Sequence, residues 1–358
     1  MHAESLLPRD TPVRLIDQDG SSHPDDQYPT PTLDRLVTGY RHLVVGRRIN
    51  DQANALVRQG KLAVYPSSYG QEACEVAAAM VLGQDDWLFP TYRDTVAVIT
   101  RGVDPFDAFV LLRGDWHSGY DPREHRIAPQ ATPLATQLLH AVGFAQAARM
   151  RGEDTVVVAL CGDGATSEGD FHEALNFAAV FHLPVVFLVQ NNGYAISVPL
   201  SRQTAAPSIA HKGIGYGMPG RRVDGNDLAA LLSVLGEAVD GARAGGGPTL
   251  VEAVTYRIQS HTNADDATRY RTDEEVQPWL ARDPLTRLRT WLGEQGALSE
   301  GDDAEFHAQA ERVATDLRAA VNAEAVPHPE DLFAFVYATP TPQLREQAAM
   351  LAAEEAAR

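Results

Sequence analysis

Cysteine is nearly absent: 358 residues hold only Cys74 and Cys161. Both lie in apolar helix-like or strand-like sequence, too far apart for a short metal or redox motif, so a disulfide scaffold is excluded and a reducing compartment is expected. Positive charge is also scarce. Thirty Lys and Arg stand against forty-eight Asp and Glu, a formal net charge of −18, and no basic run interrupts the field that would repel a phosphate backbone. Nucleic acid is therefore not an expected partner. No apolar run approaches the ~18 residues a membrane span needs, so no membrane partner is expected. The opening "MHAESLLPRDTPVRL" has no signal-peptide core, twin arginine or Arg-rich presequence, and a cytoplasmic location is expected. No internal repeat points to a solenoid.

A hydrophobic content of 44% is ample for a substantial core. Residues 1–32 are polar and proline-rich ("SSHPDDQYPTPT") and read as an extended arm lying on another surface. Residues 33–290 read as one α/β domain and 291–358 as a charged helical region. Apolar residues at helical spacing predict a helix from Leu33 to Gln59, and "GQEACEVAAAMVLG" a second. Residues 113–131, which include His117 and His125, have neither period and read as a long loop. The helix "PLATQLLHAVGFAQAARM" then leads to "TVVVALC", a β-branched run typical of a buried parallel strand. "ATSEGDFHEALNFAAVFHL" as helix and "PVVFLVQ" as strand complete a β-α-β unit. Further strands are expected at residues 220–223 and in "TLVEAVTYRI", separated by the helix "DLAALLSVLGEAVDGARA". The fold class is α/β, with a largely parallel sheet flanked by helices.

In such a sheet ligands bind beyond the carboxyl ends of the strands. Two ends are marked, by Gly162, Asp163 and Gly164 after one strand and by Asn191–Tyr194 ("NNGY") after the next. Glycines admit a close backbone approach, and the following helix offers N–H groups to an anion. Asp163 would repel a bare diphosphate, but a divalent cation between carboxylate and phosphate reverses that objection. Magnesium wants about six oxygens. Asp163, an Asn amide and a carbonyl of the "NNGY" turn can supply the protein's share. A G-x-G turn is often only a tight turn or part of a dinucleotide fingerprint. The latter expects G-x-G-x-x-G and an acidic residue ending the second strand, whereas the sequence reads "GDGATSEG" and then "VQNN".

With those residues in view, the chain resembles the alpha subunits of the thiamine diphosphate-dependent 2-oxo acid dehydrogenases, the decarboxylating components of the branched-chain 2-oxo acid and pyruvate dehydrogenase complexes. The family's cofactor motif opens with GDG and closes with NN, as from Gly162 to Asn192. "SYGQEA", "FPTYRD", "PLATQ", "GDGATSEGDFHEALNFAA", "QNNGYAIS", "RVDGND", "GPTLVEAVTYRI", "DDATRYR" and "DPLTRLR" follow in family order. The resemblance implies a thiamine diphosphate-binding fold, with Asp163, Asn192 and the Tyr194 carbonyl holding Mg2+. It implies that Gly162, Gly164 and Ala165 lie against the diphosphate, that Tyr92 and Arg93 reach the phosphates, and that Thr132 and Leu134 flank the cofactor's rings. His261 falls on the family's active-site histidine.

Gln190 stands where branched-chain relatives carry a phosphate-directed arginine, which shifts charge neutralisation at that place to magnesium, Arg93 and Arg257. Ala131 removes one side-chain oxygen from the segment through which some relatives bind K+. Thr262 occupies a serine position that is phosphorylated in mitochondrial relatives. The resemblance further implies oxidative decarboxylation of a 2-oxo acid with acyl transfer to a lipoyl group. The glutamate that activates the cofactor would come from a beta subunit, in an α2β2 assembly served by a lipoyl-bearing acyltransferase. "NNGYAIS" and "RVDGND" look more like branched-chain members, while "FPTYRD", "GPTLVEA" and "DDATRYR" also suit bacterial pyruvate members. A non-catalytic nucleotide-binding subunit is the alternative from another class.

Overall fold

The computed structural model describes residues 6–114, 118–323, 328–334 and 336–357; His117 lies outside them. The β-branched runs form the centre of a five-stranded sheet. In chain order the strands are β1 (Trp87–Phe89), β2 (Val157–Gly162), β3 (Val185–Asn191), a separate antiparallel pair β4 (Tyr194–Ala195) and β5 (Val198–Pro199), β6 (Gly220–Asp224) and β7 (Thr249–Val254). The sheet order is β1-β2-β3-β7-β6, and every neighbouring pair is parallel.

The helices that bear on the argument are α1 (Leu33–Arg58), α2 (Glu72–Met80), α3 (Thr95–Thr100), α4 (Pro105–Arg113), α5 (Pro122–His125), α6 (Thr136–Arg151), α7 (Gly169–Val180), α8 (Leu228–Gly241), α9 (Asp273–Leu280), α10 (Pro284–Glu294) and α11 (Glu300–Asn322). Helices α1, α2 and α8 pack with Val158 and Leu160 on one face of the sheet, while α6 and α7 pack with Val157, Ala159 and Cys161 on the other. Both faces are covered, so β2 is apolar at successive positions instead of alternating.

Register decides where the site falls. Gly162 lies beside Gln190, Gln190 beside Ala253, and Val254 beside both Asn191 and Asp224. Four strands therefore end at one level, and the residues that follow them share one edge.

Several boundaries differ from the sequence reading. Asp163–Ser167 is a 3-10 turn and α7 begins only at Gly169, because Asp163 is drawn into contacts with residues 192 and 203 instead of continuing a helix. The strand expected through residue 258 ends at Val254. Within the loop at 113–131, α5 forms a single turn and Ile127 pairs with Leu88. The N-terminal arm docks on this chain's own sheet edge: Val13 pairs in parallel with Val223, and the Leu15 and Ile16 amides donate to Asp227 Oδ2 at 2.7 and 2.8 Å. Asp227 also caps α8 through the Ala229 and Ala230 amides, at 3.0 and 3.2 Å. Position 290 falls inside α10, and α11 lies along α1, where Tyr40 donates to Asp303 at 2.6 Å.

Candidate functional site

A cleft of about 870 Å³, its open mouth included, lies at the carboxyl edge of β2, β3 and β7. Gly162, Asp163, Gly164 and Ala165 enter it from the β2 turn, Gln190, Asn192 and Tyr194 from the end of β3, and Arg257 and His261 from the segment after β7. Tyr92 and Arg93 come from the loop before α3, and Leu134 from the start of α6. Of the residues expected at the site, Thr132 alone is not brought to it: it is exposed outside the lining, and Pro133, Leu134 and Ala135 hold that wall instead.

Asp163 is 1% exposed. Its Oδ1 accepts from the Asn192 amide at 3.3 Å and its Oδ2 from Gln203 Nε2 at 2.7 Å. Burial pushes its carboxyl above the ordinary range, and those two donors only partly oppose the shift. A buried carboxylate with neutral donors and no cation is costly, and an ion beside it offsets the cost. Asn192 Oδ1 accepts from the Tyr194 amide at 3.2 Å, and an amide oxygen has a second lone pair for a cation. The Tyr194 carbonyl accepts from Arg257 Nη1 at 3.3 Å. The donor set is one carboxylate, one amide oxygen and one carbonyl. It is a hard-oxygen set of the kind magnesium takes. No group of three His, Cys, Asp or Glu side chains suited to a metal occurs among the described residues.

The opposite charge is supplied by buried arginines. Arg93 donates to the Ser67 carbonyl at 2.9 Å and to His261, both at Nδ1 and at the carbonyl, at 3.1 Å. Arg257 donates to the carbonyls of Tyr194, Ile196 (2.7 Å) and Gln259 (3.3 Å) and to the Tyr270 hydroxyl (3.0 Å). Neither meets a carboxylate among the described residues. Burial, and then the neighbouring Arg93, hold the Arg257 guanidinium below its ordinary value. Two desolvated cations without counter-ions form a site that favours a multiply charged anion.

Gly164 permits that approach: a Cβ there would stand 2.7 Å from Ala195 Cβ. Gly70, at φ +97°, is required for a different reason, since its Cβ would lie 2.1 Å from the Tyr256 carbonyl. The close fit of residue 70 against residue 256 keeps the segment after β7 beside the cleft.

His261 is neutral. Burial first, then Arg93 and Arg257, push its imidazole down to about 4. A guanidinium can only donate, so Nδ1 accepts from Arg93 and the single ring proton is assigned to Nε2. The His261 amide donates to Asp265 at 2.8 Å, which anchors the loop. Tyr92 meets the imidazole edge-on, with ring centroids 6.2 Å apart.

Sequence reasoning missed Gln71 and Gln203, whose amides touch the expected metal ligands. Gln71 lies in the quoted segment "SYGQEA", but nothing local marks its side chain as facing Asn192. Gln203 lies beyond β5 and carries no signal.

The dehydrogenase E1 component family matches residues 40–330. The chain is 51% identical, over 347 residues covering 96% of it and 94% of the relative, to the 3-methyl-2-oxobutanoate dehydrogenase subunit alpha of Mycobacterium tuberculosis. It is also 39% identical, over 311 residues covering 86% of it and 83% of the relative, to the pyruvate dehydrogenase E1 component subunit alpha of Staphylococcus aureus. A family match over most of the chain, with two relatives aligned over nearly their whole length, agrees with the order of motifs and the strand-end cleft: the chain belongs to the dehydrogenase E1 component family.

Proposed function

We propose that the chain is the alpha subunit of the decarboxylating component of a branched-chain 2-oxo acid dehydrogenase, using thiamine diphosphate and Mg2+ in the cleft at the ends of β2, β3 and β7. The observation that carries this reading is the pairing of opposite buried charges across one cleft. Among the described residues Asp163 makes no ion pair with a cation, and Arg93 and Arg257 make none with a carboxylate. A magnesium diphosphate satisfies both sides at once. The degree of identity to the branched-chain relative favours that substrate class over pyruvate.

Asp163, Asn192 and the Tyr194 carbonyl would hold the metal, with Gly162, Gly164 and Ala165 giving the diphosphate close access. Tyr92 and Arg93 would face its phosphates from the other wall, and Gln190 and Arg257 complete the polar lining. When bound, the cofactor supplies a carbon nucleophile and takes up the electron pair released as carbon dioxide departs. His261 holds a proton at Nε2 in an uncharged ring, so it can donate a hydrogen bond to an oxygen of the substrate without adding another positive charge beside Arg93 and Arg257. Leu134 and Ile196 are exposed at the cleft mouth. A beta subunit would cover them in an α2β2 assembly and contribute the remaining catalytic groups, and a lipoyl-bearing acyltransferase would receive the acyl group. No described helix is long and apolar enough to cross a membrane, and both cysteines are buried and unpaired, in keeping with a cytoplasmic site of action.

Co-expression with the beta subunit, followed by decarboxylation assays on 3-methyl-2-oxobutanoate, 4-methyl-2-oxopentanoate and pyruvate, tests the reading. Turnover of the two branched substrates that depends on thiamine diphosphate and magnesium is expected. Preference for pyruvate would transfer the chain to the other branch of the family, and no turnover of any 2-oxo acid would overturn the proposal.

A further inference from the structure

Three side-chain amides and one carboxylate form a buried file behind the metal ligands. The Asp94 carboxylate accepts from the Thr91 backbone amide at Oδ2 (2.6 Å) and from Gln190 Nε2 at Oδ1 (2.6 Å). Gln190 Oε1 accepts from Gln71 Nε2 at 3.0 Å, and Gln71 Oε1 accepts from Asn192 Nδ2 at 2.8 Å. All four residues are at most 6% exposed, so a group that turns the wrong way within the file loses a hydrogen bond that little solvent can replace.

The file has a direction. Burial pushes the Asp94 carboxyl up, while the Thr91 and Gln190 donors and the adjacent Arg93 oppose the shift. As a carboxylate it accepts only, so Gln190 presents its NH2 to Asp94 and its oxygen to Gln71, and Gln71 presents its NH2 to Gln190 and its oxygen to Asn192. Asn192 is left with its NH2 turned inward and its oxygen outward, where it accepts from the Tyr194 amide. An amide is nearly symmetric in shape, and packing alone does not distinguish its oxygen from its nitrogen. The Tyr194 amide selects the oxygen of Asn192 from the outer side, and the charge at residue 94 selects the same orientation from behind.

We propose that Asp94, through Gln190 and Gln71, is the positioning group that fixes the Asn192 amide with its oxygen toward the metal. The inference rests on the reading of this cleft as a magnesium diphosphate site. It also gives Gln190 a function in a place where an arginine would break the file: the side chain is a link in the relay, donating to Asp94 and accepting from Gln71.

Asp94→Asn keeps the shape and reverses the logic. The Thr91 amide fixes the oxygen of the new amide on its own side, which leaves NH2 facing Gln190. Gln190 and Gln71 then turn over, and Gln71 presents NH2 to Asn192. Asn192 either turns its own NH2 to the cation and loses the bond from the Tyr194 amide, or keeps its oxygen outward with two donors opposed behind it; either outcome weakens the metal ligand. Adding Gln190→Glu moves the carboxylate one link along the file: it accepts from Asn at position 94 on one side and from Gln71 on the other, restoring the original direction beyond it.

The test is a calorimetric titration of Mg2+ into the co-expressed assembly at fixed thiamine diphosphate, together with melting of the metal-free protein. Groups that orient metal ligands typically alter affinity about 10- to 100-fold, so Asp94→Asn should weaken Mg2+ binding by that factor. Asp94→Asn/Gln190→Glu should return to near the wild-type value, although it carries one more substitution. Gln71→Leu, away from the Thr91 loop, should weaken Mg2+ by about the lower of those factors. It also leaves Gln190 Oε1 and Asn192 Nδ2 unpaired, so the metal-free melting temperature falls and the Mg2+ affinity of the folded assembly is the deciding readout. Unchanged Mg2+ affinity in Asp94→Asn or Gln71→Leu, or a double variant no better than the single, would overturn the relay. Failure of the wild-type assembly to bind thiamine diphosphate in a Mg2+-dependent way would instead overturn the reading of the site itself.

Discussion

Asp163→Asn should act in opposite directions on the metal-free and loaded protein. In the metal-free protein the carboxylate is buried, its hydrogen-bond donors are amides, and Arg257 acts on it only from a distance. Converting it to an amide of the same shape loses the long 3.3 Å bond from the Asn192 amide, about 1 kcal/mol. It also removes an unpaired buried charge, whose effective penalty is several kcal/mol. The net expectation is stabilisation on the order of 1–2 kcal/mol, or roughly 1–3 °C in Tm. The loaded protein behaves differently. Saturation at a hundred times Kd stabilises wild type by about 2.7 kcal/mol, and loss of the only charged metal ligand should abolish most of that. The sign with pH follows from the raised carboxyl of Asp163. The folded state holds that proton more tightly than the unfolded state, so the burial cost is greatest at neutral pH and fades as pH falls through the folded pKa. The advantage of the amide should therefore shrink on acidification. Scanning calorimetry of the co-expressed assembly, with and without thiamine diphosphate and Mg2+, reads all three effects. A lower Tm for the metal-free variant, or a full ligand-induced shift, would refute the assignment of Asp163.

His261→Ala should retain cofactor affinity yet lose most acylation of a lipoyl domain, followed by mass spectrometry of that domain; undiminished acylation would remove His261 from the reaction. Because its imidazole is pushed down to about 4, the folded ring stays neutral while the unfolded ring takes a proton below about 6.5. His261 should thus subtract stability as pH falls from about 6.5 to 4, by an amount reduced by its partial exposure, and NMR of ring-labelled His261 should show no titration between pH 6 and 8. Gly164→Ala places a methyl 2.7 Å from Ala195 Cβ and should cost about 1–3 kcal/mol, with an additional loss of cofactor affinity measured by calorimetry. A neutral effect on both would mean that the turn at Gly164 moves freely.

Much of the fold is legible in local sequence. The runs around Val158 and Val186 could be read as central parallel strands because both sheet faces demand apolar side chains. The motif from Gly162 to Asn192 identifies two strand ends, and the acid between the glycines already implies a cation. The 3-10 turn at Asp163–Ser167 was not legible, since its cause is a pair of contacts to residues 192 and 203. The docking of Val13–Ile16 was equally hidden, because it depends on Asp227, more than two hundred residues away.

The sequence by itself determined the chemical groups: a carboxylate flanked by glycines, paired asparagines, arginines in separate segments, and a histidine after the last strand. Tertiary structure alone decided their states. It left Thr132 outside the cleft, gave Arg93 and Arg257 no carboxylate partner among the described residues, and made His261 neutral by burying it beside Arg93 and Arg257. It also aligned Asp94, Gln190 and Gln71 behind Asn192. Those properties depend on burial, charge separation and the direction of hydrogen bonds between residues distant in the chain, none of which a linear pattern encodes.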